Sequence, residues 1–169
     1  HTIFTEHSQC LAVLSGVLPD EQRMAIAQNL FADPALTQPS VYFMHYFFEA
    51  CRELGRMDIF LARMHFWFHM QALDFKTTYE SGDPATTRSD CHAWGAHPLY
   101  HYFASLLGIR PAALGFAAVE VRPQLGGLAF ARGLLPHPAG EIRLEVHAEG
   151  ASLHGRLALP EGVPGILVV

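Results

Sequence analysis

The residues best suited to chemistry lie in one stretch, KTTYESGDPATTRSDCHAWGAHPLYHY, from Lys76 to Tyr102: Glu80, His92 and Trp94. A carboxylate on a loop between apolar helices can act as a general base, taking a proton from a water beside a bound substrate. Asp83 and Asp90 are rival acids in the same loop, and acids among Gly and Pro are usually solvated. His92 and Trp94 stand in the run CHAWG. An indole face stacks on the C–H side of a sugar ring while an imidazole nitrogen bonds a hydroxyl, the mixture of apolar platform and placed polar group that small-ligand sites use. The same pair equally suits a tryptophan filling core beside a histidine bonded to a backbone carbonyl, and spacing leaves both open.

His65 with His69, and His97 with His101, are each four apart on predicted helices, a spacing metal ligands use. Neither pair has an HExxH motif or a supporting carboxylate, so structural histidines are the better reading and no cofactor is expected. The aromatic row Tyr42, Phe43, Tyr46, Phe47 and Phe48 reads as core. There is no GxGxxG, GxSxG or Gly-rich phosphate loop to support a nucleotide site or a serine hydrolase.

The elements that must position these residues change character along the chain. Glu6–Ser15 predicts a helix stopped by Gly16, and Pro19-Asp20 opens a second that runs to Asp33-Pro34. Ser40 is the expected N-cap of a helix from Val41 to Leu54, apolar on more than one face, and Asp58–Leu73 predicts another. Pro98 suits the first position of a helix that Gly108 ends. From Gly115 onward, FAAVEVRP, LAFARGLL, EIRLEVHAE, ASLHGRLAL and GILVV alternate apolar with polar residues, which predicts an antiparallel β module needing a partner layer.

Composition narrows the function class. With 169 residues, 50% apolar and 16% charged, the chain is long and apolar enough for one good core or two small ones. The net charge of -5 and the scattering of its 11 Lys and Arg give no phosphate-backbone footprint, so no nucleic acid partner is expected. Apolar runs are too short for a membrane span. Cys10, Cys51 and Cys91 are widely spaced and read as buried free thiols, which fits a reducing, cytoplasmic compartment. The start at His1 and the apolar GILVV end suggest part of a longer chain.

From Thr87 to Val146, TRSDCHAWGAHPLYHYFASLLGIRPAALGFAAVEVRPQLGGLAFARGLLPHPAGEIRLEV resembles the end of the catalytic domain and the start of the C-terminal β-sandwich in bacterial α-L-rhamnosidases and related inverting glycoside hydrolases. Upstream, FTEHSQCLAVLSGVLPDEQR and YFMHYFFEACRELGRMD are similar to helices of the same family. The resemblance implies an α+β chain: residues 1–112 would be the C-terminal portion of an (α/α)6 toroid with a deep anionic pocket, and 113–169 an incomplete β-sandwich. It implies hydrolysis of terminal α-L-rhamnosides by two carboxylic acids with a water between one of them and the sugar. In that pattern the Glu after a Thr-Thr pair is the base, here Glu80 after Thr77 and Thr78, and the sugar-contacting histidine is His92, with Trp94 beside it.

Two departures accompany the resemblance. Tyr79 and Ser81 stand where the family commonly has tryptophans, and the family's general acid belongs to a segment upstream of His1. Twelve helices need on the order of 300 residues, far more than the helical part here, so the chain is expected to be inactive alone. The apolar faces of 42–54 and 60–68 would then be bare, leading it to self-associate or to dock on the rest of its catalytic domain. The alternative reading is a noncatalytic sugar-binding or packing remnant of a hydrolase.

Overall fold

Glu6, Cys10 and Val13, one helical stripe, are the residues that the first helix buries. A computed structural model describes residues 4–168; the expectations for the very start of the chain and for Val169 lie outside the described residues. Two compact units divide between Pro98 and Leu99.

In the first unit, α1 (Glu6–Leu14) is capped by Thr5, whose hydroxyl accepts from the Ser8 N–H at 3.4 Å. It pairs with α2 (Asp20–Ala32), which starts after Pro19 with Asp20 and Glu21 in its first turn, as expected. The third helix begins later than Ser40 predicts. Residues 41–43 form a turn, and α3 (Met44–Glu53) follows, with the Met44 N–H donating to the Ser40 carbonyl at 3.0 Å.

The expected single helix from Asp58 to Leu73 is two, α4 (Met57–Arg63) and α5 (His65–Ala72), joined at Met64. There the Met64 N–H is shared between the Phe60 and Leu61 carbonyls at 3.1 and 3.2 Å, and the Trp67 N–H reaches back to the Met64 carbonyl at 3.0 Å. This tightening toward three residues per turn re-aims the following helix. Trp67 thereby reaches Phe48 at 5.7 Å between ring centres, and Phe48 packs edge-on against Phe60 at 4.7 Å.

Burial corrects two expectations. Phe47, Phe48 and Phe60 are 0% exposed, so the helical faces expected to be bare are largely covered within the described chain; Tyr42 and Phe68 are the exposed members. Cys10 and Cys51 are buried, but Cys91 is exposed, because its loop lies on the surface. Burial pushes the Cys10 thiol up to about 12 and the Cys51 thiol in the same direction. A half-buried ion pair joins α1 to α4: Arg63 donates to buried Glu6 at 2.5 Å, with its guanidinium 4.6 Å from the centre of the Phe47 ring.

The short helix α6 (Pro98–His101) starts at Pro98 as expected, the last residue of the first unit; in the second unit it widens into a π-helical turn over Tyr102–Leu106, where the Leu107 N–H donates to the Tyr102 carbonyl at 3.1 Å. Buried His101 is bonded through Nδ1 to the Ser105 hydroxyl at 2.9 Å, and Arg110 Nε donates to the Ala104 carbonyl at 2.7 Å. Gly108 ends the turn with φ +69°. A Cβ there would lie 1.9 Å from the Arg122 carbonyl oxygen, so glycine is required.

Two three-stranded sheets follow. One contains β1 (Ile109–Pro111), β2 (Val119–Val121) and β6 (Gly165–Leu167) in the order β1-β2-β6; the other contains β3 (Phe130–His137), β4 (Gly140–Glu149) and β5 (Ser152–Ala158) in sequence order. The expected antiparallel pattern holds except for β6, which runs parallel to β2 in the register Val119↔Gly165. The chain after β5 returns through Pro160–Pro164 before pairing, and the Val119 N–H donates to the Pro164 carbonyl at 2.9 Å. Alternation puts Ile142, Leu144 and Val146 of β4 into one core with Leu107, Ile109, Val119, Val121 and Leu125. Gly133 lets β3 approach the π-helical turn, since a Cβ would meet Leu107 at 2.5 Å and Phe103 at 2.9 Å. No helix among the described residues is long and apolar enough to cross a membrane.

Candidate functional site

Thr77 and Thr78 hold the two arms of the Lys76–Tyr102 stretch together. The Thr77 hydroxyl donates to the Asp90 carbonyl. Thr78 is joined twice to His92: the His92 N–H donates to the Thr78 carbonyl at 2.7 Å, and the Thr78 hydroxyl donates to the His92 carbonyl at 2.9 Å. One residue on, the Glu80 N–H donates to the Ser89 carbonyl at 3.0 Å and the Thr87 hydroxyl at 3.2 Å. These bonds replace regular secondary structure in satisfying the backbone of a loop.

Tyr79 anchors the arm from below, fully buried between Phe66 at 5.5 Å and Phe75 at 4.9 Å. Burial pushes its phenol above the ordinary tyrosine range. The other arm ends in a 3-10 turn, Ala93–Ala96, docked by Trp67, whose indole N–H donates to the Gly95 carbonyl at 2.7 Å. Gly95 is obligatory by contact: a Cβ there would lie 2.8 Å from the Thr78 Cβ.

Glu80 and Trp94 both line a groove of about 440 Å³ together with Ser40, Tyr42, Ser81, Thr86 and Arg88. The His92 ring lies 4.0 Å from the Trp94 ring, and Tyr42 meets Trp94 edge-on at 5.4 Å. The Glu80 side chain is only 10% exposed and accepts from Arg88 through both carboxylate oxygens, with Nε 3.2 Å from Oε2. The hydrogen bond from Arg88 holds the Glu80 carboxyl below the usual glutamate range, with burial opposing it.

Neither rival acid lines the groove. Asp83 accepts from the Ala85 N–H at 2.9 Å and the Thr86 hydroxyl at 3.1 Å, closing the turn below Glu80. Asp90 offers its carbonyl to Thr77. Glu80 is the one carboxylate among the described residues lining the groove.

Tyr42, read from sequence as core, is instead 49% exposed on the groove wall. Arg88 shares its loop with Glu80, Asp83 and Asp90, and nothing in the sequence marks which of them it pairs with. The histidine pairs differ in surroundings: His65 and His69 are exposed, whereas His97 is half-buried. His65 and His69 stack at 6.3 Å. His97 donates through Nε2 to the Val41 carbonyl at 3.0 Å, and burial lowers its pKa to about 4.

No family model matches the chain. In an alignment 109 positions long that covers 56% of this chain, it is 28% identical to an α-L-rhamnosidase of Alteromonas sp. (strain LOR). Its structure matches that of the GH78 family rhamnosidase of Bacillus sp. GL1 over 98% of the chain, with a TM-score of 0.80 and 28% identity. The chain is rhamnosidase-like. It spans 12% of the length of the Alteromonas relative and 20% of the Bacillus chain. The mixed helical and sheet architecture of this rhamnosidase-like chain thus corresponds to a part of a glycoside hydrolase structure.

Proposed function

We propose that the rhamnosidase-like chain contributes one wall of the sugar pocket of an inverting glycoside hydrolase acting on terminal α-L-rhamnosides. Glu80 is the general base, and His92 and Trp94 contact the glycone. The observation that carries this reading is the groove itself, lined by a shielded carboxylate, an exposed indole and a second aromatic wall at Tyr42; the His92 imidazole packs on the indole without lining the groove.

An inverting mechanism needs two carboxyl groups about 6.5–9.5 Å apart with a water between base and sugar. Glu80 supplies the base, held as carboxylate by Arg88 and aimed by its backbone bonds to the opposite arm. The acid that protonates the leaving oxygen comes from another part of a longer polypeptide. In that polypeptide, residues 1–112 belong to an (α/α)6 toroid and residues 113–169 to a β-sandwich, and the remaining hairpins of the toroid are the partner of this one. L-Rhamnose is the sugar on which the reading commits, in a bacterial hydrolase, and the chain alone does not turn over.

A second reading, a sugar-binding remnant without catalysis, is favoured by the Glu80–Arg88 pair, which neutralises the one carboxylate among the described residues lining the groove. Calorimetric titration of L-rhamnose into the 169-residue chain tests the shared part of both readings. Saturable binding lost in Trp94→Ala and His92→Ala supports the pocket; binding indifferent to both substitutions removes it.

A further inference from the structure

The outward face of the sheet β3-β4-β5 carries an arrangement that the groove does not use. Its register puts Arg132 opposite Glu145 and Glu145 opposite Arg156. Paired side chains on one face stand about 5 Å apart, so the two arginines rise two strand spacings apart, roughly 10 Å, with a single carboxylate between them. The neighbouring row is Leu134, Arg143 and Ala158, and the row on the other side is Phe130, His147 and His154. Arg132, Arg143, Glu145, His147 and Arg156 line an open cavity of about 860 Å³ within the second unit.

The charges on this lining do not balance. Glu145 accepts from His147 Nε2 at 2.8 Å, and Arg143 turns to Glu141 at 2.6 Å. Arg132 and Arg156 therefore share a carboxylate that is already engaged. Over the whole face three arginines stand against Glu141, Glu145 and Glu149, with Glu149 3.5 Å from His154; the excess of guanidinium is local to the lining, where Arg132 and Arg156 flank Glu145 alone. Beside it Phe130 is 54% exposed and its ring lies nearly parallel to that of His147, at 24° and 5.8 Å.

We propose that this face binds a carboxylate-bearing glycan, with acid groups on Arg132 and Arg156 and a sugar ring against Phe130. Planar guanidinium forks match carboxylates through two parallel bonds, and an exposed aromatic face accepts the C–H side of a pyranose. The preference for a glycan over an acidic peptide rests on the glycoside-hydrolase reading; the site itself does not involve Glu80.

Calorimetry on the 169-residue chain at low salt tests the proposal, comparing hexagalacturonate, the same oligosaccharide with its carboxyls reduced, and poly-glutamate. Hexagalacturonate is expected to bind in preference to both others, to weaken with added salt, and to weaken about tenfold or more in the Arg132→Gln/Arg156→Gln double variant. Glu145→Gln should tighten it by removing the internal competitor. Glu80→Gln should leave it unchanged, so that failure of the rhamnoside reading and failure of this site are distinguishable. Equal binding of the reduced oligosaccharide, poly-glutamate binding as well or better, indifference to the double substitution, or no binding by a chain with a folded circular-dichroism spectrum would each overturn it.

Discussion

Thr78 and His92 hold each other by two hydrogen bonds, from the His92 N–H to the Thr78 carbonyl at 2.7 Å and from the Thr78 hydroxyl to the His92 carbonyl at 2.9 Å. This ladder sets the distance between the arm carrying Glu80 and the arm carrying Trp94. Thr78→Val keeps the shape and removes one bond, at a cost of about 1 kcal/mol. Gly95→Ala drives a methyl to within 2.8 Å of the Thr78 Cβ and should cost more, about 1–3 kcal/mol. Urea denaturation measures both, and L-rhamnose affinity should fall in the same order.

Arg88→Gln removes the hydrogen bond that depresses the Glu80 pKa. A carboxyl with a lowered pKa stays ionised as pH falls below the ordinary glutamate range, so in the proposed mechanism Arg88 extends the base function of Glu80 toward acid pH. In the variant, the acid limb of kcat/KM of a full-length polypeptide carrying this sequence should move to higher pH. An unmoved limb would detach Arg88 from the ionisation of Glu80.

His97 is neutral when folded, with its pKa lowered to about 4 by burial among Phe48, Trp67 and His45. Its ordinary value is 6.5. The unfolded chain therefore takes up a proton first, and the contribution is complete above pH 6.5 and lost as pH falls toward 4. The loss is on the order of 2–3 kcal/mol. Urea melts from pH 7 to 4 should show a steeper decline for the native chain than for His97→Gln.

Arg63→Met leaves Glu6 buried without its cation and should cost about 3 kcal/mol. The double variant Glu6→Gln/Arg63→Met should recover most of that loss, because the penalty lies in the orphaned charge. Denaturation midpoints of the two variants decide this. Equal midpoints would place the cost in the packing of Arg63 on Phe47 instead.

Much of the secondary structure was legible where one local rule decided it. Pro98 marked a helix start, and the apolar alternation of Gly140–Glu149 marked a strand with its buried face. What stayed hidden depended on partners distant in sequence or on a choice between near-equal local geometries. The break at Met64 exchanges one pattern of carbonyl bonding for another at little cost, and the π-helical turn after His101 does the same. The parallel pairing of Gly165–Leu167 depends on how the preceding turn returns the chain. Of the candidate site, Glu80, His92 and Trp94 are the residues the sequence proposes by type, and Glu80 and Trp94 line the groove. Arg88 and Tyr42 did not stand out, because an isolated arginine and one aromatic in a row of five carry no mark of the groove they face.

The central claim is that Glu80 takes the proton from the attacking water. Its most direct test is kcat on an aryl α-L-rhamnoside for a full-length polypeptide carrying this sequence, native against Glu80→Gln, with fold monitored by circular dichroism. The account predicts a fall in kcat of about 10²–10⁴ with the fold intact. Near-native turnover in Glu80→Gln would contradict it.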